Sequence, residues 1–132
     1  MRLLLAQICC ILALVVAGNA LAETVSHPAV PVVESLHGEL LDTMQKAKTL
    51  GYQGRFDKLR AALGVSFDLE FMARKAVGRS WKKFSEPEQE RWLDSFQRVT
   101  CANYADRFTG FSGQSFETLG VDPASHETVM VR

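Results

Sequence analysis

The chain has 132 residues, with fifteen Lys and Arg balanced by fifteen Asp and Glu, for a formal net charge of zero. A chain so balanced has no global field with which to gather nucleic acid, so no nucleic-acid partner is expected. After removal of the leader described next, about 110 residues remain, enough for one domain and too few for two.

Arg2 provides a positive start, Leu3 to Val16 run apolar with only Gln7 interrupting, and Ala20-Leu21-Ala22 ends the stretch on small residues. Glu23, the first acid of the chain, follows directly. Spanning a bilayer takes about 20 consecutive apolar residues, and this core is shorter. Residues 1–22 are therefore expected to be a cleaved signal peptide that exports the rest. Lipoprotein processing is not expected, because Ile8 precedes Cys9 where a small residue is needed. Cleavage leaves fourteen basic against fifteen acidic residues, with Cys101 as the remaining cysteine. One cysteine forms no internal disulfide. It also lacks a partner base at any suggestive spacing among His27, His37 and His126, so a thiol enzyme is not expected.

Residues 23–31 read as an extended lead-in, with Pro28 and Pro31 against helix. From Val32 the apolar residues Val33, Leu36, Leu40, Met44 and Ala47 step by three or four, which predicts a helix. Lys46 and Lys48 suit its C-terminal end, and Gly51 is expected to close it. A short helix follows from Arg55 to Leu63 on Phe56, Leu59 and Leu63, with Gly64 as its stop. Ser66 or Asp68 then caps a third helix through Val77. Phe67, Phe71, Met72 and Ala76 make that helix apolar on more than one side, so it is expected to lie buried. Ser85-Glu86-Pro87-Glu88 is a capping box with proline in the first turn. The helix it opens runs to about Phe108, with Trp92, Phe96, Val99 and Asn103 on one stripe and Leu93, Thr100 and Tyr104 on its flank.

Gly110 and Gly113 mark a turn, Ser115 to Val121 a strand, Asp122 to Ser125 another turn, and His126 to Arg132 a second strand. Helices followed by strands predict an α+β fold, helices packed on a curved antiparallel sheet. The second strand reaches Arg132 without a turn or partner after it. The expectation is therefore that residues 23–132 form the N-terminal part of a single domain whose remaining sheet is missing.

Catalytic chemistry is absent from the pattern. The histidines have no paired ligand spacing, so no metal site is expected. Gly110-x-x-Gly113 is not a phosphate loop, and Glu86, Glu88 and Glu90 are the acids a first helical turn favours. No cofactor is implied, and the chain reads as a binder. Arg74, Lys75, Arg79, Lys82 and Lys83 fall within ten residues around Trp81 with no acid between them. Such a run is either a solvated helix end or a patch for anionic lipid headgroups or an acidic partner.

The segment Phe67-Asp-Leu-Glu-Phe-Met-Ala-Arg-Lys-Ala-Val-Gly-Arg-Ser-Trp81 resembles the "DxxxMARxxLGxxWR" stretch of the MlaC-like family, also known as toluene-tolerance proteins. Ser85-Glu-Pro-Glu-Gln89, Arg91, Phe96 and Tyr104-Ala105 continue in register with that family's "TPAQRxxFxxxFxxLxxxxYA". Arg107-Phe108-x-Gly-Phe-Ser-Gly113 and Phe116-Glu-x-Leu-Gly120 look closest to its hopanoid-associated branch. The resemblance implies a non-enzymatic periplasmic carrier of phospholipid or a related lipid, auxiliary to an ABC transport system for organic-solvent resistance. Its implied partners are an inner-membrane ABC transporter complex and an outer-membrane lipoprotein complex. Lining candidates for the lipid are Phe71, Met72, Trp92, Phe96, Val99, Tyr104, Phe108 and Phe116. Family members carry further strands and helices, in line with the expected truncation.

Overall fold

The computed structural model describes residues 27–132; the predicted leader and the start of the lead-in lie outside the described residues. In chain order the elements are α1 (Ala29–Gln45), α2 (Ala47–Ser66), α3 (Leu69–Val77), a 3₁₀ segment (Gly78–Lys83), α4 (Glu86–Arg107), β1 (Val121–Pro123) and β2 (Val129–Val131). The fold is α+β, four α-helices and a two-stranded antiparallel sheet.

Helix α1 begins earlier than the prolines suggest. The Ala29 N–H donates to His27 Nδ1 at 3.1 Å and the Val30 N–H to the His27 carbonyl at 2.9 Å. Pro31 then falls in the first turn, where its missing N–H has no helical acceptor to lose. The helix buries Val30, Leu36, Leu40, Thr43 and Met44.

Helix α2 is the central element, and of the two breaks expected in it the one at Gly51 is present and the one at Gly64 is not. Gly51 (φ 61°, ψ −173°) closes the helical run that begins with α1, as expected: the Lys46 N–H donates to the Asp42 carbonyl and the Leu50 N–H to the Lys46 carbonyl, and the backbone then kinks at Gly51, in a region open mainly to glycine. Gly64 does not stop the helix, which continues to Ser66. The roughly 1 kcal/mol that a mid-helix glycine costs is outweighed by the burial on either side of it. Leu59 and Leu63 are 0% exposed, and Phe67 packs on the same cluster. That cluster joins Leu36 and Leu40 of α1, Leu59 and Leu63 of α2 and Cys101 of α4, with Phe56, Tyr104 and Phe108 packed around it.

Polar groups fasten the same helices. The Arg55 guanidinium donates from Nε to the Ala105 carbonyl at 2.9 Å and from Nη1 to the Ala47 carbonyl at 3.2 Å, so one side chain satisfies carbonyls of α4 and α2. Lys58 of α2 reaches Glu39 at 2.5 Å and Asp42 at 3.1 Å on α1.

Helix α3 is not buried between neighbours as expected. It lies on α4 with Ala73 as its one fully buried residue, leaving Phe71 55% and Met72 40% exposed. Its neighbours are α4 and the 3₁₀ segment, which leave its outward side uncovered. Helix α4 starts as the capping box predicts, with the Ser85 N–H donating to Glu88 Oε2 at 2.7 Å.

The hairpin departs from the expected register. The pairs are Val121↔Val131, Asp122↔Met130 and Pro123↔Val129. The turn lies at Ser125–Thr128, later than Asp122–Ser125, because His126 and Glu127 take left-handed angles (φ 57° and 56°). Two positive φ values in a row are what a tight hairpin turn uses. Ser115–Gly120 is not strand: Phe116 stacks on His37 of α1 at 4.3 Å, and the Thr118 hydroxyl donates to Glu34 at 2.9 Å. Only its end joins the ladder, through Leu119 N–H to the Arg132 carbonyl at 2.6 Å and Arg132 N–H to the Gly120 carbonyl at 2.9 Å.

Two outcomes are expected. Leu59→Ala removes a side chain with no exposed surface and should cost about 2–5 kcal/mol in urea unfolding, whereas Val65→Ala, at an 85% exposed position, should cost little. For the α1–α2 bridge, hydrogen bonds from Lys46 and Lys58 hold the Asp42 carboxyl below its ordinary 3.8. The Glu39 hydrogen bond holds Lys58 above 10.5. The Asp42 contribution is complete above its unfolded value and lost as pH falls through the lowered folded one. That of Lys58 is complete below its unfolded value and lost as pH rises through the raised folded one. The stability difference between wild type and Lys58→Met should therefore be flat from about pH 5 to pH 10 and shrink on either side.

Candidate functional site

The aromatic residues singled out from the sequence lie mainly on α4, and the helix distributes them round its circumference. At 100° per residue, Cys101 sits about 180° round from Trp92. The buried face is that of Cys101 and Ala105, with Tyr104 and Phe108 at its edge. Phe67 meets Tyr104 edge-on at 6.0 Å, and Tyr104 stacks on Phe108 at 5.6 Å. The expected stripe runs along another side of α4. Trp92 and Phe96 are half-buried, their rings 6.2 Å apart. Trp92 Nε1 donates to the Ala73 carbonyl at 2.8 Å, which holds α3 on α4. Further along, Val99 is 60% exposed and Asn103 faces solvent.

The structure thus brings Trp92 together with Phe96, and Tyr104 together with Phe108, but does not gather the eight lining candidates around one cavity. Phe71 and Met72 project from α3, and Phe116 lies on His37 of α1. Val99 belongs instead to an open cleft of about 620 Å³ between α2 and α4, whose walls include Tyr52, Phe56, Arg60, Asp94 and Arg98. Tyr52 was not among the predicted site residues. Its signal is its place four residues before Phe56, on the same helical face, but a second helix expected to start only at Arg55 leaves Tyr52 outside it.

The basic run becomes a corner. Gly78 ends α3 with φ 53°, and the chain turns into the 3₁₀ segment. Arg74, Lys75, Arg79 and Lys82 gather with Trp81 around a shallow groove of about 640 Å³, while Lys83 lies outside that lining. The Arg74 guanidinium sits 5.2 Å from the centre of the Trp81 ring and pairs with Glu70. The Lys75 ammonium sits 5.1 Å from the Phe71 ring.

The other candidate chemistries are quickly placed. Cys101 is fully buried, and burial pushes its thiol above the ordinary 9.0, the wrong direction for a nucleophile. The Ser85 hydroxyl and N–H hold the Glu88 carboxyl below its ordinary 4.5, as befits a cap. Among the described residues no three His, Cys, Asp or Glu side chains converge as metal ligands, and no helix is long and apolar enough to cross a membrane.

The sequence model of the MlaC protein family matches residues 34–132, from the first turns of α1 through the hairpin. The chain belongs to the MlaC protein family. MlaC proteins are periplasmic lipid-binding proteins. No curated protein and no solved structure matches the chain. In this MlaC family member the joint between the aromatic side of α4 and the α3 corner is the Trp92–Ala73 hydrogen bond. Trp92→Phe keeps most of the ring and removes the donor, so it should lower stability by about 1 kcal/mol in chemical denaturation. Phe71→Ala, at an exposed site, should leave the midpoint nearly unchanged.

Proposed function

We propose that the chain is the exported lipid carrier of an ABC-type phospholipid transport system. In this role it moves lipid between an outer-membrane lipoprotein complex and an inner-membrane ABC transporter complex and so supports tolerance to organic solvents. The observation that carries the proposal is the family match over residues 34–132. It spans both helices that bear the lining candidates and the basic corner. The leader at residues 1–22 supplies export to the periplasm.

The physical task is reversible burial. Hiding hydrocarbon from water is worth about 0.8 kcal/mol per CH₂, so a fatty chain of roughly fifteen methylenes is opposed by about 12 kcal/mol when it crosses an aqueous gap bare. A carrier lowers that barrier by lending apolar surface, with no covalent step. Phe71, Met72, Val99 and Phe116 are the lining candidates whose surface is most open. Trp92, Phe96, Tyr104 and Phe108 are half-buried and would give a guest their outward edges. The likeness of Arg107–Gly120 to the hopanoid-associated branch favours a polycyclic lipid as the second candidate cargo.

Organic extraction of the purified full-length gene product, followed by mass spectrometry, tests the proposal. Phospholipid is expected in the extract, and the protein should take up labelled phospholipid from vesicles. Phe116→Ser should reduce that uptake with little change in melting midpoint. A hopanoid in the extract would change the cargo and keep the carrier. No lipid in the extract together with no uptake would leave an envelope interaction protein without a ligand.

A further inference from the structure

We infer that the corner formed by α3 and the 3₁₀ segment is a docking surface for an anionic phospholipid bilayer. From Phe71 to Ser85 the chain carries five basic residues and no acid. The positive angle at Gly78 (φ 53°) folds that run back on itself, so four of the charges, those of Arg74, Lys75, Arg79 and Lys82, gather round one groove and Lys83 follows just outside it. Glu70 is the adjoining acid on the N-terminal side, and it is engaged by Arg74. On the other side the first acid is Glu86, in the first turn of α4 where the helix N-terminus favours it, and Glu88 is engaged by the Ser85 cap. Arg79, Lys82 and Lys83 form no salt bridge among the described residues, so their charge is available to an external anion.

Apolar groups share this surface, and they favour a bilayer over an acidic protein. Phe71 and Met72 are 55% and 40% exposed one helical turn before the basic groups. The anchoring of α3 falls to other groups, the buried Ala73 and the Trp92 hydrogen bond to its carbonyl. Trp81 is half-buried at the centre of the corner. Aromatic rings at headgroup depth, cations above them and a few apolar side chains reaching further in are the composition of an interfacial membrane contact. The inference does not rest on the carrier function: a chain that adhered to vesicles without extracting lipid would keep this surface and lose that role.

Each Lys or Arg near an anionic membrane strengthens binding about fivefold, so neutralising three should weaken it on the order of 100-fold. The test is sedimentation of the full chain with vesicles of phosphatidylcholine, and with an equimolar mixture of phosphatidylcholine and phosphatidylglycerol, at low and physiological salt. Binding is expected only to the mixed vesicles and should weaken with salt, as screening predicts. Arg79→Gln/Lys82→Gln/Lys83→Gln should abolish it while leaving the thermal midpoint in place. Phe71→Ser/Met72→Ser should weaken it more modestly. Tryptophan emission should shift to the blue on the mixed vesicles, and Trp81→Phe should remove that shift although Trp92 remains. Equal binding to both vesicle types, no binding to either, or unchanged binding by the triple variant would overturn the inference. So would retention of soluble polyglutamate by the corner with no affinity for the mixed vesicles, which would assign it to an acidic protein instead.

Discussion

Helix α2 is held on two sides at once, and the rest of the structure depends on that clamp. Leu59 and Leu63 are fully buried because Leu36 and Leu40 of α1 approach from one side and Cys101 of α4 from the other. The approach requires the chain to leave α1, turn, and run back as α2, which the unusual backbone of Gly51 makes possible. Arg55 then locks the result, binding carbonyls of α2 and α4 with one guanidinium. The core is small, so much of the apolar surface of the other elements is left for something else to cover.

Local chemistry was readable from the sequence wherever one short segment decides the outcome. Ser85, Pro87 and Glu88 announce the start of α4 because capping is settled within a single turn. The spacing of Leu36, Leu40, Leu59 and Leu63 announced which residues form the core. Glycine was harder to read, since its cost is local but its tolerance is set by tertiary contacts. Gly51 breaks a helical run as its sequence position suggests, whereas Gly64 is carried through one, because Leu59, Leu63 and Phe67 repay the penalty. The buried side of α4 is inconspicuous in the sequence for a related reason. Cys101 and Ala105 are small, so they contribute little to a pattern of bulky residues, yet small residues are what close helix packing selects. The burial of α3 was overestimated because apolar residues on two sides look the same whether covered by protein or left open. The turn at His126 and Glu127 offered little sequence cue, since a hairpin turn of this kind is signalled by Asn-Gly or Asp-Gly and Glu127 is not a residue that favours left-handed angles.

The candidate site shows the same division. Pairing of Trp92 with Phe96 and of Tyr104 with Phe108 follows from four-residue spacing on one helix. Whether those pairs face one another depends on elements far apart in the chain, and here they do not. What membership of the MlaC protein family adds is a reason for the open apolar surface. A lipid carrier must keep some apolar area unsatisfied until its guest arrives, and a tightly finished core would defeat it. The α3 corner adds a different economy, with side-chain hydrogen bonds from Trp92 to the Ala73 carbonyl and from Gln89 to the Trp81 and Phe84 carbonyls fixing to the long helix an element whose outward side is free for contact.

The buried thiol of Cys101 has a practical consequence. It is the one cysteine among the described residues, it lies at the meeting point of three helices, and desolvation keeps it protonated at neutral pH. An alkylating reagent can reach it only when α1, α2 and α4 part. Its rate of modification, read by peptide mass, is therefore an internal clock for breathing of the helical layer, set in place by the chain itself and needing no engineered label.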